Sequence, residues 1–142
     1  MLLGWREATV DIDLKLVPDA APLLKAVVAL KAELSVNVEL ASPDQFIPVT
    51  EDWAERSPLD RREGRLTVRH YDLMAQAMAK LERGHVRDLE DVTAMLERGL
   101  VDGEGLLAYL DRIEPELYRF PAVDPVTLRR SVERAARGAR SP

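Results

Sequence analysis

Hydrophobic and polar positions change period three times along this chain. From Thr9 to Val17 apolar residues alternate with acidic and basic ones, a period of two that predicts a strand closed by Pro18-Asp19. Leu23, Leu24, Val27, Val28, Leu30 and Leu34 then follow helical spacing. They predict a helix over Pro22–Leu34, with Asp19 or a neighbour as its cap and Pro22 tolerated in the first turn. Val36–Leu40 returns to strand character and ends at Ser42-Pro43-Asp44. Strand, helix and strand in that order have the length of a short crossover, which suits a parallel or mixed sheet.

Phe46–Arg62 carries Pro48, Pro58 and the charged run Asp60-Arg61-Arg62-Glu63, and reads as a loop with one helical turn near Trp53. Arg65–His70 alternates again and predicts a third strand. Beyond it the chain is helical. Asp72 caps a helix to Arg83 that stops at Gly84. Arg87–Arg98 stops at Gly99, and Glu104–Ile113 ends before Pro115. Asp124-Pro125 opens a fourth helix of this half. The pattern predicts one 142-residue α/β (α+β) domain, a small mixed sheet over 1–70 followed by a helical portion over 71–142.

Composition narrows the classes. Hydrophobic residues make up 46% and charged residues 32%, which is globular rather than disordered. No apolar run is long enough to span a bilayer, and no secretory signal opens the chain, so a cytoplasmic location is the default expectation. The absence of cysteine excludes disulfides and thiolate metal sites. A net charge of −5 argues against indiscriminate nucleic-acid binding. The end of the chain runs the other way, with Arg129, Arg130, Arg134, Arg137 and Arg140. A solvated helix with a basic tail accounts for these; a phosphate-rich partner is the sharper alternative.

Three carboxylates carry the strongest hint of chemistry. Asp11 and Asp13 sit two apart on the first strand, hence on one face, and Glu39 lies in the second. If the strands are neighbours in register, the three converge into an oxygen-donor set for a divalent cation. Such an ion neutralises phosphate charge in phosphoryl and nucleotidyl transfer. Taken alone, Asp-x-Asp fits an ordinary exposed strand face equally well.

A second group spans two helices. Lys80 projects to the edge of the apolar arc of Leu73, Met74, Ala77, Met78 and Leu81, where it can meet a phosphate or snorkel to water. Asp88 projects between Val92 and Met95 on the next apolar arc. A carboxylate there needs a partner, and Lys80, Arg83 and Arg87 are the candidates. A first-turn acid favoured by the helix dipole is the plainer reading of Asp88. His70 and His85 lack metal-ligand spacing, Trp5 and Trp53 read as packing anchors, and no nucleophile elbow or phosphate-cradling glycine loop occurs.

Arg6-Glu-Ala-Thr9-Val-Asp11-Ile-Asp13-Leu14, Val38-Glu39-Leu40 and Lys80-x-x-Arg83-x-x-x-Arg87-Asp88-x-x-Asp91 together resemble the nucleotidyltransferase superfamily with the DNA polymerase β-type palm. The nearest group is the AbiEii-type, toxin–antitoxin-associated nucleotidyltransferase-like proteins, and the resemblance runs from Leu3 to about Gly99. It implies Asp11, Asp13 and Glu39 as catalytic metal carboxylates. Lys80 and Asp88 match the helical lysine and aspartate of the family's later motif, with Arg83, Arg87 and Asp91 as supporting charges. It implies Mg2+ as cofactor and transfer of a nucleotide from a nucleoside triphosphate to an RNA, protein or small-molecule acceptor. The family's Gly-Gly or Gly-Ser pair, expected before the acidic strand, has no counterpart among the ten residues ahead of Asp11, so the resemblance reads as truncated at the N-terminus. An interaction protein is the alternative: one component of a toxin–antitoxin-like pair or a self-associating remnant. An uncovered sheet edge and apolar patch would favour a dimer or a bound partner.

Overall fold

The computed structural model describes residues 11–18, 21–35 and 37–139. The expected strand start at Thr9 and the cap at Asp19 fall outside them, as do Val36 and Arg140. The elements are β1 (Asp11–Asp13), α1 (Ala21–Leu34), β2 (Asn37–Glu39), β3 (Leu59–Glu63), β4 (Leu66–Arg69), α2 (Leu73–Arg83), α3 (Val86–Glu97), α4 (Gly103–Ile113) and α5 (Pro125–Gly138). A 3₁₀ turn covers Pro43–Gln45, and a six-residue 3₁₀ helix covers Glu114–Arg119. The mixed α+β class follows from the element list. The expected single mixed sheet is instead two separate ladders, one parallel and one antiparallel. The chain divides into two compact units, Met1–Ser42 and Pro43–Pro142; among the described residues every strand lies before position 70, and α2 to α5 follow it.

In the first unit β1 and β2 pair in parallel, Asp11 with Asn37, Ile12 with Val38 and Asp13 with Glu39. The Leu14 N–H donates to the Glu39 carbonyl at 2.9 Å and extends the ladder. Parallel neighbours need a crossover, and α1 supplies it. None of α1's residues is buried; Leu23 and Val27 are half-covered, while Leu24, Val28, Leu30 and Leu34 are exposed.

The second unit contains a hairpin that the charge run concealed. Asp60-Arg61-Arg62-Glu63 belongs to β3, which pairs antiparallel with β4. Both faces of residues 61–67 are exposed, so no alternation of apolar and polar side chains marks the strand. The tight reversal uses Gly64 at φ 59°, a conformation that costs glycine little. The expected helical turn around Trp53 is present: the Trp53 N–H donates to the Thr50 carbonyl, and the Arg56 N–H to the Asp52 carbonyl.

Helices α2 to α5 start and stop close to where the sequence places them. Asp72 Oδ1 accepts from the Met74 N–H at 3.1 Å, and Gly84, at φ 70°, ends α2 by donating to the Lys80 carbonyl. Asp102 Oδ1 accepts from the Gly105 N–H at 2.7 Å at the head of α4. Asp124 stands at the N-cap of α5 with Pro125 directly after it, as expected, and its carboxylate accepts a hydrogen bond from the Thr127 hydroxyl. Helix α2 packs on α3, α4 and α5, and α4 also packs on α5. Met78, Val92, Met95, Leu106, Leu110 and Val132 form the sealed centre.

Gly103 shows how close α4 and α5 come. A β-carbon there would lie 3.0 Å from both the Cα and the carbonyl oxygen of Ala136, and backbone cannot swing aside. Gly103→Ala is therefore expected to cost about 1–2 kcal/mol despite alanine's better helix propensity. Urea denaturation checks this; an unchanged or raised midpoint would show that the α4–α5 approach has slack.

Candidate metal and phosphate sites

The acidic pair of the first unit is built by backbone register. Glu39 is the direct partner of Asp13 across the parallel ladder, and both side chains are exposed. Strand neighbours lie about 4.8 Å apart, so two carboxylates at one register position are within reach of a shared cation. Asn37 Nδ2 donates to Glu39 Oε1 at 3.3 Å, which gives the glutamate one fixed oxygen. Asp11 stands two residues before Asp13, with Asn37 as its partner; its backbone register alone is described. Among the described residues, no group of three or more His, Cys, Asp or Glu is placed to hold a metal ion.

The second group, all in the other unit, is brought together tightly. Arg83 grips Asp88 with both arms of its guanidinium, Nε to Oδ2 at 2.8 Å and Nη2 to Oδ1 at 2.6 Å. Lys80 Nζ lies 2.8 Å from Asp91 Oδ2 and 3.9 Å from Asp88 Oδ1. Asp88 and Asp91 are buried on the inner face of α3, and Lys80 reaches them from α2. The hydrogen bond from Arg83 is the main reason that the Asp88 carboxyl lies below its ordinary range. The inward lean expected of Lys80 is real, and carboxylates occupy its ammonium. Of the three candidate partners for Asp88, Arg83 is the main one and Lys80 the second. Arg87 is exposed in the first turn of α3. The network therefore ties α2 to α3, as two buried carboxylates paired with partly exposed cations can.

A third polar cluster escaped the sequence. The carboxylate of Asp72, 3% exposed, faces Arg56 Nε at 3.2 Å while its other oxygen caps α2. Burial is the main influence on that carboxyl and raises it above the ordinary carboxylate range. The Arg56 guanidinium also sits 5.6 Å from the centre of the Tyr109 ring. Trp53 stacks on Tyr71, 4.9 Å between ring centres and 6° between planes. Thr50 donates its N–H to the Tyr109 hydroxyl at 3.4 Å. Burial raises the phenols of Tyr71 and Tyr109. The only signal in the sequence was an acid at a cap with two tyrosines in reach of later helices; the loop's arginine could not be paired with it by spacing. His70 approaches Asp60 at 3.5 Å, and His85 precedes α3 in the open.

Comparison of the chain with protein-family models, with curated proteins and with solved structures finds no match. Among the described residues no helix is long and apolar enough to cross a membrane.

Proposed function

We propose that the chain is a nucleotidyltransferase-like protein that binds a nucleoside triphosphate with Mg2+ on its acidic strand pair and serves nucleotide transfer to an RNA, protein or small-molecule acceptor. The observation that supports this reading is the parallel register that sets Asp13 against Glu39. Mg2+ is satisfied by one or two carboxylates, water and substrate phosphates, so two exposed carboxylates at one register position fit it chemically. When bound, the ion supplies charge neutralisation at the phosphates. Asp13 and Glu39 hold it, with Asp11 as a third donor from the same strand. The Lys80–Arg83–Asp88–Asp91 network has a positioning role, fixing α2 against α3.

Calorimetric titration with each ribonucleoside triphosphate, with and without Mg2+, tests the reading. The expected result is binding that requires Mg2+. No binding of any triphosphate under either condition would remove the enzyme reading and leave the interaction protein. One observation favours that second reading: α1 is apolar along most of its length, yet buries none of its residues.

A further inference from the structure

The outer face of α3 presents a patch of Val86, Leu89, Glu90, Thr93, Ala94 and Glu97, apolar residues interspersed with two glutamates. Val86 is 74% exposed and Leu89 40%. These positions form one continuous helical stripe, at offsets 0, 3, 4, 7, 8 and 11 from Val86. Among the described residues, Glu90 and Glu97 have no hydrogen-bond or ion-pair partner.

The same chain carries the complementary stripe. On α5 the equivalent offsets from Val126 bring up Arg129, Arg130, Glu133, Arg134 and Arg137; Arg130, Arg134 and Arg137 are exposed, Glu133 is half-buried and falls opposite Thr93 in a parallel pairing, and Val126 itself is 59% exposed. Laid parallel, Val86 meets Val126, Glu90 meets Arg130 and Glu97 meets Arg137, with no like charges opposed. Laid antiparallel, Glu90 would meet Glu133, which repels. Arg129, on the inner edge of the stripe, is already spent on Asp111 and Glu114. Arg130 lends its charge to Asp124, and Arg137 donates from Nε to the Glu133 carbonyl at 3.3 Å and holds its Nη2 4.0 Å from the Glu133 carboxylate, both along its own helix. Within the unit, α3 packs on α2 while α5 packs on α2 and α4, which leaves both stripes outward.

We propose that the outer face of α3 is a docking surface for α5 of a second copy of this chain. The contact is heterologous, since the two surfaces differ, and it propagates head to tail. Exposed ion pairs contribute little singly, so the association is weak, salt-sensitive and steered by charge, with the two valines as an apolar contact at one end.

The test is charge exchange read by sedimentation over a wide concentration range. Wild type is expected to self-associate and to dissociate in about 0.5 M salt. Glu90→Arg with Glu97→Arg, and separately Arg130→Glu with Arg137→Glu, are each expected to weaken self-association about tenfold or more. Circular dichroism should show both folded. Combining all four substitutions in one chain is expected to restore association. A wild-type chain that stays monomeric throughout would overturn the proposal. So would pairs of substitutions without effect, or a quadruple variant that fails to recover.

Discussion

Replacing Asp88 by alanine is expected to lower the stability of the helical unit by about 2–3 kcal/mol, the range for losing charged hydrogen bonds in a buried setting. The substitution removes both bonds from Arg83 and the weaker attraction of Lys80. The full cost of orphaning a buried partner is avoided for two reasons. Arg83 is 54% exposed and can turn to water, and Lys80 keeps Asp91 at 2.8 Å. In a unit of this size the loss corresponds to a drop in Tm of about 10–20 °C. Removing Lys80 instead leaves Asp91 buried with its close cation gone, so Lys80→Met should cost at least as much as Asp88→Ala. If either variant melts within a degree or two of wild type, the network does not hold α2 to α3.

The same residue sets a pH signature. Arg83 keeps the Asp88 carboxyl lower when folded than when unfolded, so the unfolded chain takes up its proton first as pH falls. The stability that Asp88 confers is therefore complete above the ordinary carboxylate range, and is lost as pH falls through the lowered folded value. The gap between wild type and Asp88→Asn should stay constant from neutrality to about pH 5 and close below about pH 4. A gap that widens on acidification would contradict the assignment.

Asp88 also marks how far the sequence could be read. Its place on the apolar arc demanded a partner, and three basic residues within reach were nameable from helical projection alone. Which one prevailed depended on side-chain reach across two helices, which projection does not contain. The caps at Asp72, Gly84 and Gly99 were legible because each meets a local backbone need. The parallel pairing of β1 with β2 was legible because a helix between two strands leaves few other arrangements. Strand β3 was not, since its partner alone defines it and every side chain in Asp60-Arg61-Arg62-Glu63 is polar. The break at Ser42–Pro43 was equally hidden, because it follows from which elements share contacts and not from a linker composition. Nor was the contact of Arg56 with Asp72 legible, since it spans a loop whose path no period encodes.

Asp11→Asn with Asp13→Asn is expected to abolish Mg2+-dependent triphosphate binding and leave the far-ultraviolet spectrum unchanged. The fold should survive because the ladder is made by backbone and Asp13 is exposed. Opposed like charges on neighbouring strands are unfavourable by a few tenths to about 1 kcal/mol, and Asp13 faces Glu39. Neutralising one member should therefore leave stability unchanged or slightly raised in metal-free buffer. Mg2+ should act in the opposite sense, raising the Tm of wild type by binding the native pair and leaving the double variant unmoved. An ordinary surface acid at this register would share the first effect and not the second, because it has no cation to share. A wild-type Tm indifferent to Mg2+, or a double variant that binds triphosphate as well as wild type, would remove Asp11 and Asp13 from any metal role. Loss of binding with gain of stability would instead identify a pair that is kept at the expense of the strand it sits on, which is the behaviour of a working site.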